Sequence, residues 1–214
     1  MMKKTIVKEL FYFDELSDDA KEKALQDFLA FDYYDCSEWE KTLQEAARLL
    51  QFSVRDWNVD CWRARIDYRP EFSDEVAALS GPRLLSYVWN NCRELWPGKY
   101  YSTPGKYIDG KYNYKWRRSK AILADADCPL TGVCYDCAIT SAVNKLWSGP
   151  VQPGYTYADL VRDAINNLEQ DLAADYEYFY SMDRFREICE ANDYVFTADG
   201  KECYLASEAD KEAV

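Results

Sequence analysis

Three cysteines, Cys128, Cys134 and Cys137, have a spacing that suits a soft metal ion. The Cys134-x2-Cys137 half matches the ligand spacing of structural zinc sites, where thiolates occupy tetrahedral corners. Closing such a site takes a fourth ligand, and the chain has no histidine to supply it. Asp136 would have to serve, or Cys189 or Cys203 arriving from distant segments. The alternative is a turn marked by Pro129, Thr131 and Gly132, with the cysteines packed beneath it. Just upstream, Asp125 and Asp127 stand two apart, a spacing that lets paired carboxylates hold Mg²⁺ against a substrate phosphate. Two acids in a polar loop are commonplace, and solvation alone explains them. Gly105-x4-Gly110-Lys111 opens like a phosphate-binding loop, yet Tyr112 stands where the magnesium-binding hydroxyl belongs, and the flanks lack the strand and helix that loop joins. It reads instead as a hairpin with two glycines.

The missing histidine also removes Ser-His and Cys-His nucleophiles, HExxH zinc sites and the HxE deaminase pattern together. With no complete catalytic motif left, the expectation is a protein that binds and does not catalyse, with no cofactor unless zinc sits at Cys128, Cys134 and Cys137.

Charge points to binding. The formal net charge is −12, but residues 99–120, KYYSTPGKYIDGKYNYKWRRSK, carry seven Lys/Arg against one acid. Asp109-Gly110 is a two-residue hairpin signal. After it, Tyr112, Tyr114 and Trp116 alternate with Lys111, Asn113, Lys115 and Arg117, followed by Arg118. Cations that neutralise phosphates beside rings that stack bases would suit single-stranded nucleic acid. The same strand would equally dock on an acidic surface, its own or a partner's. From Tyr155 onward there are fifteen Asp/Glu and five Lys/Arg. Asp159, Asp163, Asp171, Asp175 and Glu177 lie on or near the outward side of a long helix. They make either a solvated face or an acidic surface that occupies a protein's nucleic-acid channel.

These residues are positioned by an alternation of short strands and helices. A strand over 4–13 is followed by a helix capped by Ser17, then a second helix opened by Ser37 and Glu40 as a capping box. Period-two alternation over Val59–Tyr68 predicts a half-exposed strand that Pro70 ends. Pro82 opens a helix over 83–96 with Leu84, Leu85, Val88, Cys92 and Leu95 inward. Further helices are expected at about 136–147, at 157–179 behind a Thr156 cap, and from Ser181 to Asn192, where asparagine suits a left-handed cap. Asp199-Gly200 turns a closing hairpin. At 214 residues and 48% hydrophobic, the chain is long and apolar enough for one sizeable core. The fold class is therefore α+β: a helix-dominated single domain over 1–206, with a small antiparallel sheet built from the N-terminal strand, the central strand and hairpins. A polar tail over 207–214 is expected to fray. No apolar run approaches the roughly 18 residues of a membrane helix, and Lys8 and Glu9 break the run a signal peptide would need, so no membrane partner and a cytoplasmic location are expected.

In this order, "FYFDELSDDAKEKAL" at 11–25, "CPLTGVCYDC" at 128–137 and "YEYFYSMDRFREICEANDYVFTADGK" at 176–201 resemble a family of small phage and prophage proteins. Its members carry F-x-E-L-S-x-x-A-K, C-P-x-T-G-x-C and N-x-Y-x-F-x-x-D-G segments, and some are labelled antitoxin-like. The likeness is weakest over 55–120. It implies a mobile-element context and brings no active site. Together with the charge pattern it leads to the expectation of a stoichiometric inhibitor of a host protein that handles nucleic acid, of the anti-CRISPR or anti-restriction type. The alternatives are a nucleic-acid-binding accessory protein using the basic hairpin and an antitoxin-like masking protein.

Overall fold

The computed structural model describes residues 9–60, 63–95, 100–108, 111–118, 128, 130–148 and 153–203. Helices α1 (Asp18–Leu29), α2 (Ser37–Leu50), α3 (Asp74–Ala77), α4 (Gly81–Asn91), α5 (Asp136–Ser148), α6 (Tyr157–Phe179) and α7 (Met182–Ala191) alternate with strands. The strands are β1 (Phe11–Tyr12), β2 (Phe52–Asp60), β3 (Arg63–Pro70), β4 (Tyr100–Ile108), β5 (Lys111–Arg118), β6 (Val195–Phe196) and β7 (Glu202–Cys203). They form three small antiparallel sheets, β1-β6-β7, β2-β3 and β4-β5. The fold is α+β and helix-dominated. The chain divides into two compact units. One is made of the chain ends up to Asp35 and from Asp175, and the other is Cys36–Ala174. The tail at 207–214 and residues 4–8 of the strand expected over 4–13 lie outside the described residues; of 9–13, only Phe11–Tyr12 is strand, and Phe13 already begins a 3-10 turn.

The first unit joins segments that are far apart in sequence because neither can bury its own apolar side. Ser17 caps α1 by accepting a hydrogen bond from the Ala20 amide. The helix then offers Ala20 and Ala24, small residues that admit the rings of Phe185 on α7 and Phe196 on β6. Phe13 completes the cluster edge-on to Phe185, with ring centroids 5.2 Å apart. The β6–β7 turn lies so close to α1 that a Cβ on Gly200 would sit 2.2 Å from the Ala20 carbonyl oxygen. With φ at +81°, the position admits glycine alone without strain. At the end of α7 the left-handed residue is Asp193, φ +53°, not Asn192, whose φ is −111°.

The second unit is a larger core. On α2, Trp39, Leu43, Ala46, Leu49 and Leu50 are buried, and the Trp39 indole N–H donates to the Leu168 carbonyl at 3.2 Å. Ser37 is the first helical residue of α2, and the cap position is Cys36, whose side chain makes no capping hydrogen bond, so the expected capping box is absent. Pro82 stands in the first turn of α4, whose Leu84 and Val88 join Cys92 and Leu95 in full burial. Helix α6 runs over the predicted span, burying Leu160, Val161, Ala164, Ile165, Leu168 and Leu172.

The predicted strand over Val59–Tyr68 is instead the end of one strand and most of the next. Strands β2 and β3 pair on either side of residues 61–62, and Asp60 Oδ1 accepts from the Arg63 amide across that connection. An Asp at the start of a turn does this without any glycine. The register slips by one between Val54 and Asp56. That bulge changes the parity of β2, so Phe52 and Val54 before it fall on the same side as Trp57 and Val59 after it. Pro104 and Gly105 mark a similar slip in β4, where a missing N–H costs no ladder bond.

Candidate functional site

The five helical acids do not form one free face. Asp159 lies within hydrogen-bonding distance of the Thr156 amide and hydroxyl through one oxygen and of Arg162 through the other. The Thr156 hydroxyl first, then the Thr156 amide, hold its carboxyl below the usual carboxylate range. It is a helix cap. Asp163 accepts from the Tyr155 hydroxyl at 2.8 Å, and Asp175 from Tyr34 at 2.6 Å. Asp171 and Glu177 are the two that stay exposed. Because the division between the units falls after Ala174, Asp175 and Glu177 belong to the first unit and the other three to the second.

At the candidate metal centre, Asp136 is not available as a ligand. Its carboxylate is fully buried and accepts four hydrogen bonds, from the Thr42 hydroxyl (3.1 Å), the Thr131 hydroxyl (2.7 Å) and the amides of Leu130 and Thr131 (2.8 Å each). This single side chain ties the 130–135 turn to α2 and to the start of α5. The motif that includes Thr131 and Gly132 is thereby explained as structure. Cys134 and Cys137 are exposed and Cys128 is half-buried. Burial first, then the neighbouring thiols, push the Cys128 thiol up. Cys189 and Cys203 belong to the first unit. Among the described residues no group of three or more Cys, Asp or Glu is placed to hold a metal ion.

The basic hairpin exists as read. Ile108 pairs with Lys111 and Tyr107 with Tyr112, which leaves two residues for the turn. Trp116 pairs with Ser102, Lys115 with Thr103, Arg117 with Tyr101 and Arg118 with Tyr100, and Tyr114 stands opposite the bulge. Gly105 lies inside β4 and Lys111 begins β5, so the phosphate-loop match is a hairpin. Asp109, Gly110, Asp125 and Asp127 lie outside the described residues.

What the linear reading missed is the first unit as a surface. Its described residues, 9–35 and 175–203, hold 17 acids and 5 bases, a balance of −12. Within it, the segment after α1 alternates in burial: Phe31, Tyr33 and Asp35 are exposed, Asp32 and Tyr34 half-buried. The reason is chemical. Arg184 donates to Asp32 at 3.0 Å and to the Phe179 carbonyl at 3.1 Å, with its guanidinium 3.9 Å from the Phe179 ring. Tyr34 donates to Asp175 and lies edge-on to Tyr176 and Phe179. With Asp32 and Tyr34 fastened inward, Phe31 and Tyr33 point out, at 93% and 79% exposure. The FDYYD run carries the signal, but its alternation needs Arg184 to be seen.

Comparison with protein-family models, with curated proteins and with solved structures finds no match. Among the described residues no helix is long and apolar enough to cross a membrane.

Proposed function

We propose that the protein is a stoichiometric inhibitor encoded by a phage or mobile element, acting in the host cytoplasm by masking a protein that handles nucleic acid. The observation that carries this reading is the segregation of charge. Over its full span, 1–35 and 175–214, the first unit holds 20 acids and 9 bases, a balance of −11 against −12 for the whole chain, within about a third of its length. A surface so acidic, with Phe31 and Tyr33 displayed on it, is complementary to the basic channel through which a nuclease or effector holds DNA or RNA. The likeness of three segments to phage proteins supports the same setting, and an antitoxin would be one form of the same masking. The experiment is a titration of the purified full-length chain into bacterial defence nucleases with labelled nucleic acid. Loss of cleavage at one equivalent, weakened by salt, supports the proposal; full cleavage across the panel at excess protein refutes it.

A second reading has its own observation. Strands β4 and β5 form a sheet of their own, and an isolated two-stranded hairpin is marginal in water. A basic, Tyr-rich hairpin of this kind would gain order on single-stranded nucleic acid. Retention of single strands that Lys111, Lys115, Arg117 and Arg118 replaced by alanine abolishes would favour it.

A further inference from the structure

Beside the tethered loop the first unit holds a groove of ≈ 780 Å³. Its apolar lining includes Ala24, Phe28, Phe31 and Phe196. Asp27, Asp32 and Glu202 also line it, against the single cation Lys201. Asp32 is held by Arg184, whereas exposed Asp27 has no hydrogen bond or ion pair among the described residues.

We propose that this groove anchors a linear segment of the masked protein, an aromatic or aliphatic side chain flanked by Lys or Arg. The assignment rests on the masking role above and adds the place and the chemistry of contact. Charge complementarity selects the occupant. Nucleic acid would bring phosphates to a unit of balance −11, with Lys201 the single cation lining the groove to meet them. A second copy of the chain would bring the same negative charge. A cationic segment is attracted, and its apolar residue finds Phe28, Phe31 and Phe196. Because the bonds of Asp32 and Tyr34 already fix the loop, little ordering cost remains to be met on binding.

The test pans a display library of random short linear peptides against the full-length chain. The most enriched sequence is then synthesised with a fluorescent label, and its binding is read by polarisation. Enriched peptides are expected to share one large apolar residue among Lys or Arg. Phe31→Ala is expected to weaken binding about 10- to 100-fold, the equivalent of losing one buried aromatic side chain. Asp27→Lys should weaken it further, and added salt should do the same to the wild type. At 93% exposure Phe31 supports no core, so an unchanged urea midpoint is expected for that variant. No enrichment, enriched peptides without cations, or binding that survives Phe31→Ala would overturn the site. So would a Phe31-dependent dimer in sedimentation, which would make the occupant a second copy. None of these results bears on the nuclease titration, so the groove and the masking role fail separately.

Discussion

Removing the Asp136 carboxylate should cost more than any substitution on the surface of the second unit. Four donors converge on it in a site with no accessible surface, and among the described residues no cation pairs with it. Its place at the first residue of α5 adds the favourable field of a helix N-terminus. In Asp136→Ala the Leu130 and Thr131 amides lose their acceptor, and each buried unsatisfied donor costs about 1–3 kcal/mol. The two hydroxyls can rotate towards each other, since Thr42 Oγ1 and Thr131 Oγ1 already lie 3.2 Å apart. Part of the loss is offset because a buried charge is no longer desolvated. The net expectation is about 3–5 kcal/mol for Ala. Asp136→Asn keeps one oxygen for the two amides and should cost about 1–2 kcal/mol. Urea unfolding followed by circular dichroism measures both. If Ala costs under about 1 kcal/mol, or Asn as much as Ala, the carboxylate is not the tie described here.

Four further outcomes follow from the same geometry. Gly200→Ala should destabilise by about 2–4 kcal/mol, since it combines φ of +81° with a backbone clash, whereas Asp193→Gly should be neutral or slightly stabilising; thermal melts of the two variants decide. Iodoacetamide with peptide mass spectrometry should label exposed Cys134 and Cys137 in the native protein. Cys92 and Cys189, whose thiols burial pushes up to about 12, should be labelled only on unfolding. The Thr197 hydroxyl, then Lys23, lower the Asp199 carboxyl to about 2. Its contribution is therefore present above the ordinary carboxylate value and lost as pH falls through about 2, so Asp199→Asn should lower the urea midpoint at neutral pH and leave it unchanged near pH 2. Trp39→Phe should cost about 1–2 kcal/mol through the hydrogen bond to Leu168 and the packing against Trp57, 4.7 Å away, read from the same unfolding curves.

Long amphipathic helices were legible because their apolar residues recur along one face. The stripe Leu84, Val88, Cys92 and Leu95 and the inward face of α6 need only period counting. The β2–β3 hairpin was not legible, because its connection contains neither glycine nor proline and relies on Asp60. A bulge also breaks the parity of β2 halfway along. The spacing of Asp136 beside Cys134 and Cys137 suggests a metal ligand, yet its structural role depends on Thr42, ninety-four positions away. The acidic unit was hidden for the same reason: its two halves are separated by Cys36–Ala174 and meet only in the fold, through packing of Phe13 and Ala20 against Phe185, the β1–β6 pairing and the Arg184–Asp32 and Tyr34–Asp175 bonds. The period along α6 places Asp159, Asp163, Asp171, Asp175 and Glu177 near one side but does not show that Thr156 and Arg162, Tyr155 and Tyr34 engage Asp159, Asp163 and Asp175.

The masking role is tested most directly by isolating the tagged, full-length chain from a bacterial host that carries defence systems, at low and at high salt. Masking predicts a nucleic-acid-handling protein in one-to-one amount at low salt, released by salt and displaced by added DNA or RNA. Recovery of nucleic acid with no protein partner, or of a partner whose binding is indifferent to salt, would contradict it.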